Sequence, residues 1–406
     1  MTVDPARLSI GFSCLGHAVM HVLTALYLTI VLGLERDWAI GYDTLISLWT
    51  VGAVLVGLGA PLAGWLGDRW GDARMMVVFF VLTGAGAILA ARAEGTGELM
   101  VALAVLGLGA SIYHPVGMSW LVKVATNRGR AMGVLGIFGS LGIAMAAVIA
   151  GALMDWRDWR AAFWVPGAVS LACGAALLVC MAAGLVIGGA DGARGAKHTA
   201  APSRGDLIRA FVVLSVTMVC NGLVFQSTMT AMPKWFGETM TGLAGGGLLG
   251  IGGLVTVVYL FASVSQLLGG VLCDRYPLKR VYVACLLLQV PLLLVAAGLT
   301  GLPLLVVATV MVFAGSLQIP AENLLLARYT PARHQGLAYG LKFVLSFGAS
   351  PLGVLMVAAV YDRFQSFYWL FMLLGGLAAL AFVAACLLPR EPRAEPAAAA
   401  IPAAAE

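Results

Sequence analysis

The sequence predicts an all-α integral membrane protein with twelve spanning helices, arranged as two six-helix bundles. Three observations predict it. Of the 406 residues, 61% are hydrophobic and only 11% charged, whereas about a quarter of an ordinary soluble chain is charged. Apolar runs recur from end to end, each near the ~20 residues that a helix rising ~1.5 Å per residue needs to cross a ~30 Å hydrocarbon core. Short marks in the first half also return in the second at an offset of about 206 residues.

The elements follow from where charged or turn-rich stretches break the apolar runs. The first run, 9–32, has no small-residue cleavage site, so it is expected to stay as a helix rather than leave as a signal peptide. Runs at 43–66 and 75–92 flank the charged turn GDRWGDAR; 99–121 ends before Lys123, 131–153 opens at Arg130, and 162–188 follows DWRDWR. The second set runs 208–232, 245–271, 281–298, 302–326, 337–360 and 369–389, with DRYPLKR before its third member and the loop holding Arg328 and Arg333 before its fifth. The expected units are an N-terminal bundle (1–188), a cytoplasmic Gly/Ala/basic linker (189–207), a C-terminal bundle (208–389) and a disordered Ala/Pro tail (390–406).

Basic residues set the orientation. Lys123, Arg128 and Arg130, then Arg275, Lys279 and Arg280, then Arg328 and Arg333 fall on the side that holds both termini, which is therefore expected to be cytoplasmic at the plasma (inner) membrane. The opposite loops carry Trp38, Tyr42, Trp156, Trp159, Trp235, Phe236, Phe364, Phe367 and Tyr368, expected to form an interfacial aromatic belt. These loops account for the net charge of +5 without nucleic acid. The seven cysteines fall mostly within apolar runs and read as small apolar residues. Gly-rich pieces such as GGGLLGIGG lie inside spans and lack a following Lys-Ser/Thr, so no phosphate loop, enzyme signature or cofactor is expected.

Three marks carry the duplication. Asp68-Arg69 after the second span returns as Asp274-Arg275 after the eighth, RAMG opening the fifth span returns as LAYG opening the eleventh, and Asp155 and Asp362 close those spans. A duplicated bundle with a central loop is the repeat logic of secondary transporters, whose substrate site lies between the repeats.

On these residues the chain resembles the major facilitator superfamily over nearly its whole length. GWLGDRWGDARMM is similar to that family's signature loop between its second and third helices, with Asp72-Ala73-Arg74 where the family has an adjacent basic pair. GHAVMH in the first span and SIYHPVGMSW in the fourth resemble the fosmidomycin-resistance branch of drug exporters, with His21 and Val116 at positions where that branch usually carries carboxylates. The resemblance implies that the first, fourth, seventh and tenth helices line a central cavity. It also implies that Asp68, Arg69, Arg74, Arg128 and Arg130, with Asp274 and Arg275 as counterparts, form a conformational gate at the cytoplasmic mouth. The small residues from Gly139 to Gly151 in the fifth span predict close helix approach.

An ionisable group at mid-membrane costs on the order of 2.5–3.5 kcal/mol, so each needs water, a partner or a purpose. His17 and His21 lie four residues apart on one face of the first span and His114 lies in the fourth. Three roles are open to them: proton or substrate contact, hydrogen bonding between helices, or a transition-metal site completed by Glu322. Glu322 and Lys342 should sit at one depth and pair, since a lone buried charge is far costlier than a paired one, and a proton on Glu322 would break that pair. Asn221, Gln226 and Gln318 add uncharged groups for a substrate.

The expected function is alternating-access, proton-coupled export of a small organic, possibly anionic, solute by a monomer whose partners are substrate, protons and lipid. The alternatives are uptake of a carboxylate or other anion by proton symport, export of a transition metal or its chelate, and a transport-dead sensor or assembly partner.

Overall fold

The computed structural model describes residues 4–188, 204–330 and 335–389. Most of the expected linker, Arg333 and the tail therefore lie outside the described residues. Twelve helices are long and apolar enough to cross a membrane, and among the described residues there is no strand. They are α1 (Pro5–Trp38), α2 (Tyr42–Trp70), α3 (Asp72–Arg92), α4 (Thr96–Val124), α5 (Arg128–Trp156) and α6 (Trp159–Ala182), followed by α7 (Arg204–Thr239), α8 (Leu248–Arg275), α9 (Leu278–Ala296), α10 (Gly301–Arg328), α11 (Gln335–Phe364) and α12 (Tyr368–Cys386).

Several ends differ from the hydropathy reading because hydrogen bonding, not apolarity, sets them. Asp4 accepts from the amide of Ala6 at 2.9 Å and Pro5 takes the first helical position, so α1 starts before its apolar run. It continues through the charged LERDW to Ala39, which is left-handed at φ 53°. Residues 204–207, expected in the linker, already belong to α7. Between α2 and α3 the chain turns on Gly71 at φ 93°, a conformation that a side chain would strain.

The duplication is written in the packing. The contact of α1 with α5 returns as α7 with α11, α2 with α4 as α8 with α10, and α3 with α6 as α9 with α12. The two sets meet through α5 against α8 and α2 against α11, again a matched pair. At the first of these seams Gly252 lies so close to α5 that an added Cβ would stand 2.2 Å from the carbonyl oxygen of Ala147.

The same symmetry interrupts two helices. In α4 the regular helix stops at Ala110 and resumes at Met118 after a π turn over Tyr113–Gly117. In α10 it breaks between Leu317 and Ile319. Pro115 and Pro320 stand at these breaks, and each lacks the amide proton that the helical ladder needs. Interrupted helices at matching places in two repeats mark a binding site in transporters.

The described polar contacts between the two sets gather toward the end opposite the termini. Lys234 of α7 pairs with Glu35 of α1 at 2.6 Å, the Tyr42 hydroxyl donates to the carbonyl of Thr230 at 3.1 Å, and the Asp155 carboxylate accepts from the amides of Leu248 and Leu249 at 3.1 and 2.8 Å, capping α8. Lys234 also reaches Glu238 at 3.7 Å, and Glu238 accepts from the Tyr361 hydroxyl. This seal corrects part of the expected aromatic belt. Tyr42, Trp159, Trp235, Phe236 and Phe367 are buried. Tyr42 packs on Tyr361 at 5.0 Å and Trp235 on Phe371 at 4.0 Å. Trp156, Phe364 and Tyr368 remain exposed.

Candidate functional site

The α4 interruption places His114 against α1. Reciprocal bonds hold the two helices: Ser13 donates its hydroxyl to the carbonyl of Gly117 at 2.7 Å, and the Tyr113 hydroxyl donates to the carbonyl of Ser13 at 3.0 Å. His17, His21 and His114 converge there, with ring centroids 4.9, 5.6 and 5.7 Å apart and one nitrogen from each within 4.8 Å of the others. Tyr113 stacks on His17 at 4.9 Å. From the other side α5 presses in: a Cβ on Gly139 would stand 2.3 Å from the His17 ring, and one on Gly142 2.5 Å from the carbonyl oxygen of Ala18. The small residues of α5 thus let two helices close over the histidines, and the Nδ1 of His17 lies 2.8 Å from the carbonyl oxygen of Leu135.

The α10 interruption places Glu322 in an equivalent part of the second set. Lys342 Nζ pairs with Glu322 Oε1 at 2.8 Å, both side chains being about nine-tenths buried, and also donates to Asn323 Oδ1 at 2.5 Å. Glu322 Oε2 accepts from the Tyr282 hydroxyl at 3.0 Å and from Asn221 Nδ2 at 3.3 Å. Asn221 Nδ2 also faces Gln318 Oε1 at 3.1 Å. The sequence-predicted pair therefore forms, with a tyrosine of α9 as its third member. Glu322 does not join the histidines, which corrects the four-residue metal set: its oxygens are engaged within the second bundle, and among the described residues the metal-competent cluster holds the three imidazoles alone.

A small cavity opens beside Asn221 between α7, α8, α9 and α10. Of its lining atoms, Asn221 Oδ1, Thr228 Oγ1, Tyr259 Oη and Gln289 Oε1 are buried with no hydrogen-bond partner among the described residues. Gln318 lines it too, whereas Gln226, expected to meet a substrate, is buried and donates to Thr230 Oγ1 at 3.1 Å. The orientation of Asn221 is fixed chemically, because its NH2 must face the carboxylate and its oxygen must then face the cavity.

The expected gate is only partly assembled. Lys123 at the end of α4 pairs with the buried Asp72 at 3.0 Å and with Asp68 at 3.8 Å. Asp72, read as a missing positive charge, is thus the acceptor that draws in Lys123. Arg69 lies over the Trp65 ring at 4.0 Å and Arg74 donates to the carbonyl of Trp70 at 3.4 Å. Asp274, Arg275 and Arg130 are exposed, and the side chain of Arg128 lies outside the described residues. The arginines therefore do not supply the described ion pairs of Asp68 and Asp72. Sequence reasoning also missed Glu35, Lys234 and Glu238; a lysine four residues before a glutamate, beside two aromatic residues at a span end, was the available signal.

Twelve apolar helices, paired interruptions and ionisable groups at those interruptions define a polytopic membrane protein of the transporter type. The chain belongs to the Major Facilitator Superfamily, whose sequence profile matches residues 13–258 and 214–405, and which comprises transporters rather than enzymes. It is 34% identical over 140 residues to a probable 4-methylmuconolactone transporter of Cupriavidus pinatubonensis, covering 32% of each chain. Over 123 residues it is 32% identical to a putative multidrug resistance protein of Serratia proteamaculans, covering 30% of this chain and 26% of that protein. These matches span about a third or less of the relatives' own length. Solved structures share the fold: a bacterial homologue of the human lysosomal transporter Spinster, inward-facing and occupied, aligns with TM-score 0.72 at 12% identity over 95% of both chains. A peptide transporter in complex with sulfate aligns with TM-score 0.74 at 15% identity over 95% of this chain and 94% of that one.

Proposed function

We propose that the protein is a proton-coupled secondary transporter of the bacterial inner membrane that exports a small organic solute by alternating access. The observation that carries this reading is the Glu322–Lys342 pair: a buried ion pair that shares Asn221 with a cavity of unpartnered polar atoms. Protonating Glu322 removes the negative charge that holds Lys342 and turns the acceptor of Asn221 into a partial donor. A solute bound at Asn221 Oδ1 and a proton at Glu322 then act on one side chain from its two ends. With both termini cytoplasmic, the seal at Glu35, Lys234 and Asp155 is periplasmic and this conformer opens inward. Rocking of the units 1–188 and 208–389 about the α5/α8 and α2/α11 seams exchanges the open side.

The direction of transport rests on the fosmidomycin-type segments GHAVMH and SIYHPVGMSW, and the solute class on the organic-solute and multidrug names of the relatives. The monomer is the transporting unit in this reading, because the cavity and both clusters are built within one chain. The test is flux in proteoliposomes under an imposed pH gradient, with the ligand taken from a thermal-stabilisation screen. Glu322→Gln should still exchange ligand across the membrane but no longer concentrate it. Accumulation by the unsubstituted protein that ignores the gradient would overturn the coupling.

A further inference from the structure

We infer that His17, His21 and His114 form a binding site for a divalent transition-metal ion, with three imidazole ligands and one open position. Four features support the site independently of transport.

The first is convergence. One nitrogen from each ring lies within 4.8 Å of the other two, and a metal held at ~2.0–2.1 Å by three imidazoles in tetrahedral geometry sets them about 3.3 Å apart. Side-chain torsions of His21 and His114 close that difference while His17 stays in place. Two histidines at i and i+4 on one helical face are also the spacing by which a helix offers a metal two ligands at once.

The second is tautomer. The carbonyl of Leu135 can only accept, so the Nδ1 of His17 at 2.8 Å carries the proton and Nε2 keeps its lone pair. A backbone carbonyl on the far nitrogen is how ligating histidines are oriented and made more basic. The third is rigidity. Gly139 abuts the His17 ring, Gly142 the backbone of α1, Tyr113 stacks on His17, and the π turn fixes His114. A held constellation loses little freedom when an ion enters.

The fourth is the nature of the ligand set. Imidazoles without a carboxylate or thiolate select Zn(II), Co(II), Ni(II) or Cu(II) over Mg(II) or Ca(II). Three neutral ligands leave the ion's two positive charges unbalanced in an apolar surround, which calls for hydroxide or an anionic group at the fourth position. His21 and His114 are half-buried as residues, while both ring nitrogens of His114 are shielded from solvent, so the ion's fourth ligand has to enter with it. The transporter family does not require such an ion, and the site stands or falls apart from the Glu322 step.

The experiment uses the full chain purified on a tag without histidine, stripped with chelator and titrated with Zn(II) and Co(II) alone. The chain has five histidines, so His198 and His334 are first replaced by alanine to confine the signal to the cluster. One equivalent of Zn(II) should bind by calorimetry, and Co(II) should give the intense visible bands of a four-coordinate nitrogen/oxygen site. His114→Ala and His21→Ala should each weaken binding at least about tenfold, the lower range seen when a metal site loses an orienting partner. If a variant fails to fold, Cu(II) electron paramagnetic resonance on the otherwise unsubstituted cluster counts the coordinating imidazoles directly. Absence of saturable binding, octahedral cobalt spectra, or unchanged affinity in His21→Ala/His114→Ala would overturn the proposal. Proton-coupled flux that persists after chelation would leave the transport reading intact whichever way the metal result falls.

Discussion

The energetic weight of the Glu322–Lys342 pair can be measured by a double-substitution cycle. Both side chains are nearly removed from solvent, at 8% and 11% exposure. Breaking a buried pair by deleting one partner costs about 3–5 kcal/mol, because the survivor stays buried and uncompensated. Here the survivors are not equal. Lys342→Met leaves a carboxylate that still accepts from Tyr282 and Asn221, so its loss should fall near the bottom of that range. Glu322→Gln leaves an ammonium with neutral acceptors only, Asn323 among them, and should fall higher. Glu322→Gln/Lys342→Met removes both charges and should lose no more than about 1–2 kcal/mol, since replacing a buried pair by uncharged groups is often near neutral. The expected coupling is therefore several kcal/mol. Reversible denaturation of the purified protein in mixed micelles, read by tryptophan fluorescence, gives all four corners of the cycle. If the double variant loses the sum of the single losses to within about 0.5 kcal/mol, the two charges act independently and Glu322 cannot work by releasing Lys342.

Three further outcomes follow from the seal and the cavity. Gly252→Ala places a methyl group 2.2 Å from the Ala147 carbonyl oxygen, so α5 and α8 must part, and thiol-labelling of a cysteine introduced near the central seam should rise from the end that the Glu35–Lys234 pair seals. Glu35→Gln should shift the same labelling in the same direction by weakening the clasp of Lys234, while Lys234→Met/Glu35→Gln, which leaves no stranded lysine at the seal, should shift it less; unchanged labelling in Glu35→Gln refutes the clasp. Asn221→Ala should raise the KM for the transported ligand at least several-fold and slow concentrative flux, because it deletes both the cavity acceptor and the donor to Glu322; a loss of stability alone, with KM unchanged, would make Asn221 a structural residue.

The spans were legible because a hydrocarbon core imposes one strong rule, and the chain obeys it twelve times. The Glu322–Lys342 pair was legible for a related reason: few ionisable residues enter the spans, and two at matching depth have little choice but to meet. What the sequence hid was partnership decided by three-dimensional approach. Tyr282, Tyr259 and Gln289 look like ordinary members of apolar runs, and only the packing of α9 and α8 on α10 brings the Tyr282 hydroxyl to Glu322 and the polar atoms of Tyr259 and Gln289 to the cavity. Tyr42 and Trp235 sit where membrane interfaces collect aromatic residues, yet the meeting of the two bundles buries them. Asp72 was misread for a similar reason, since a charge compared with a motif says nothing about the lysine waiting at the end of another helix.

The duplication adds a last step to the reading of function. A backbone interruption at Pro115 and its counterpart at Pro320 put polar side chains at equivalent places in two equivalent bundles, so the geometry of the two sites has one origin. Their chemistry does not. One interruption presents His114 to the two imidazoles of α1, a set that accepts protons or metal ions; the other presents a carboxylate already held by a lysine, which can only exchange a proton for that partner. The two copies of one scaffold carry unlike groups near their breaks, His114 just before Pro115 and Glu322 two residues after Pro320, and in the proposed function this divides the labour: charge moves at Glu322 and the imidazole site contributes binding.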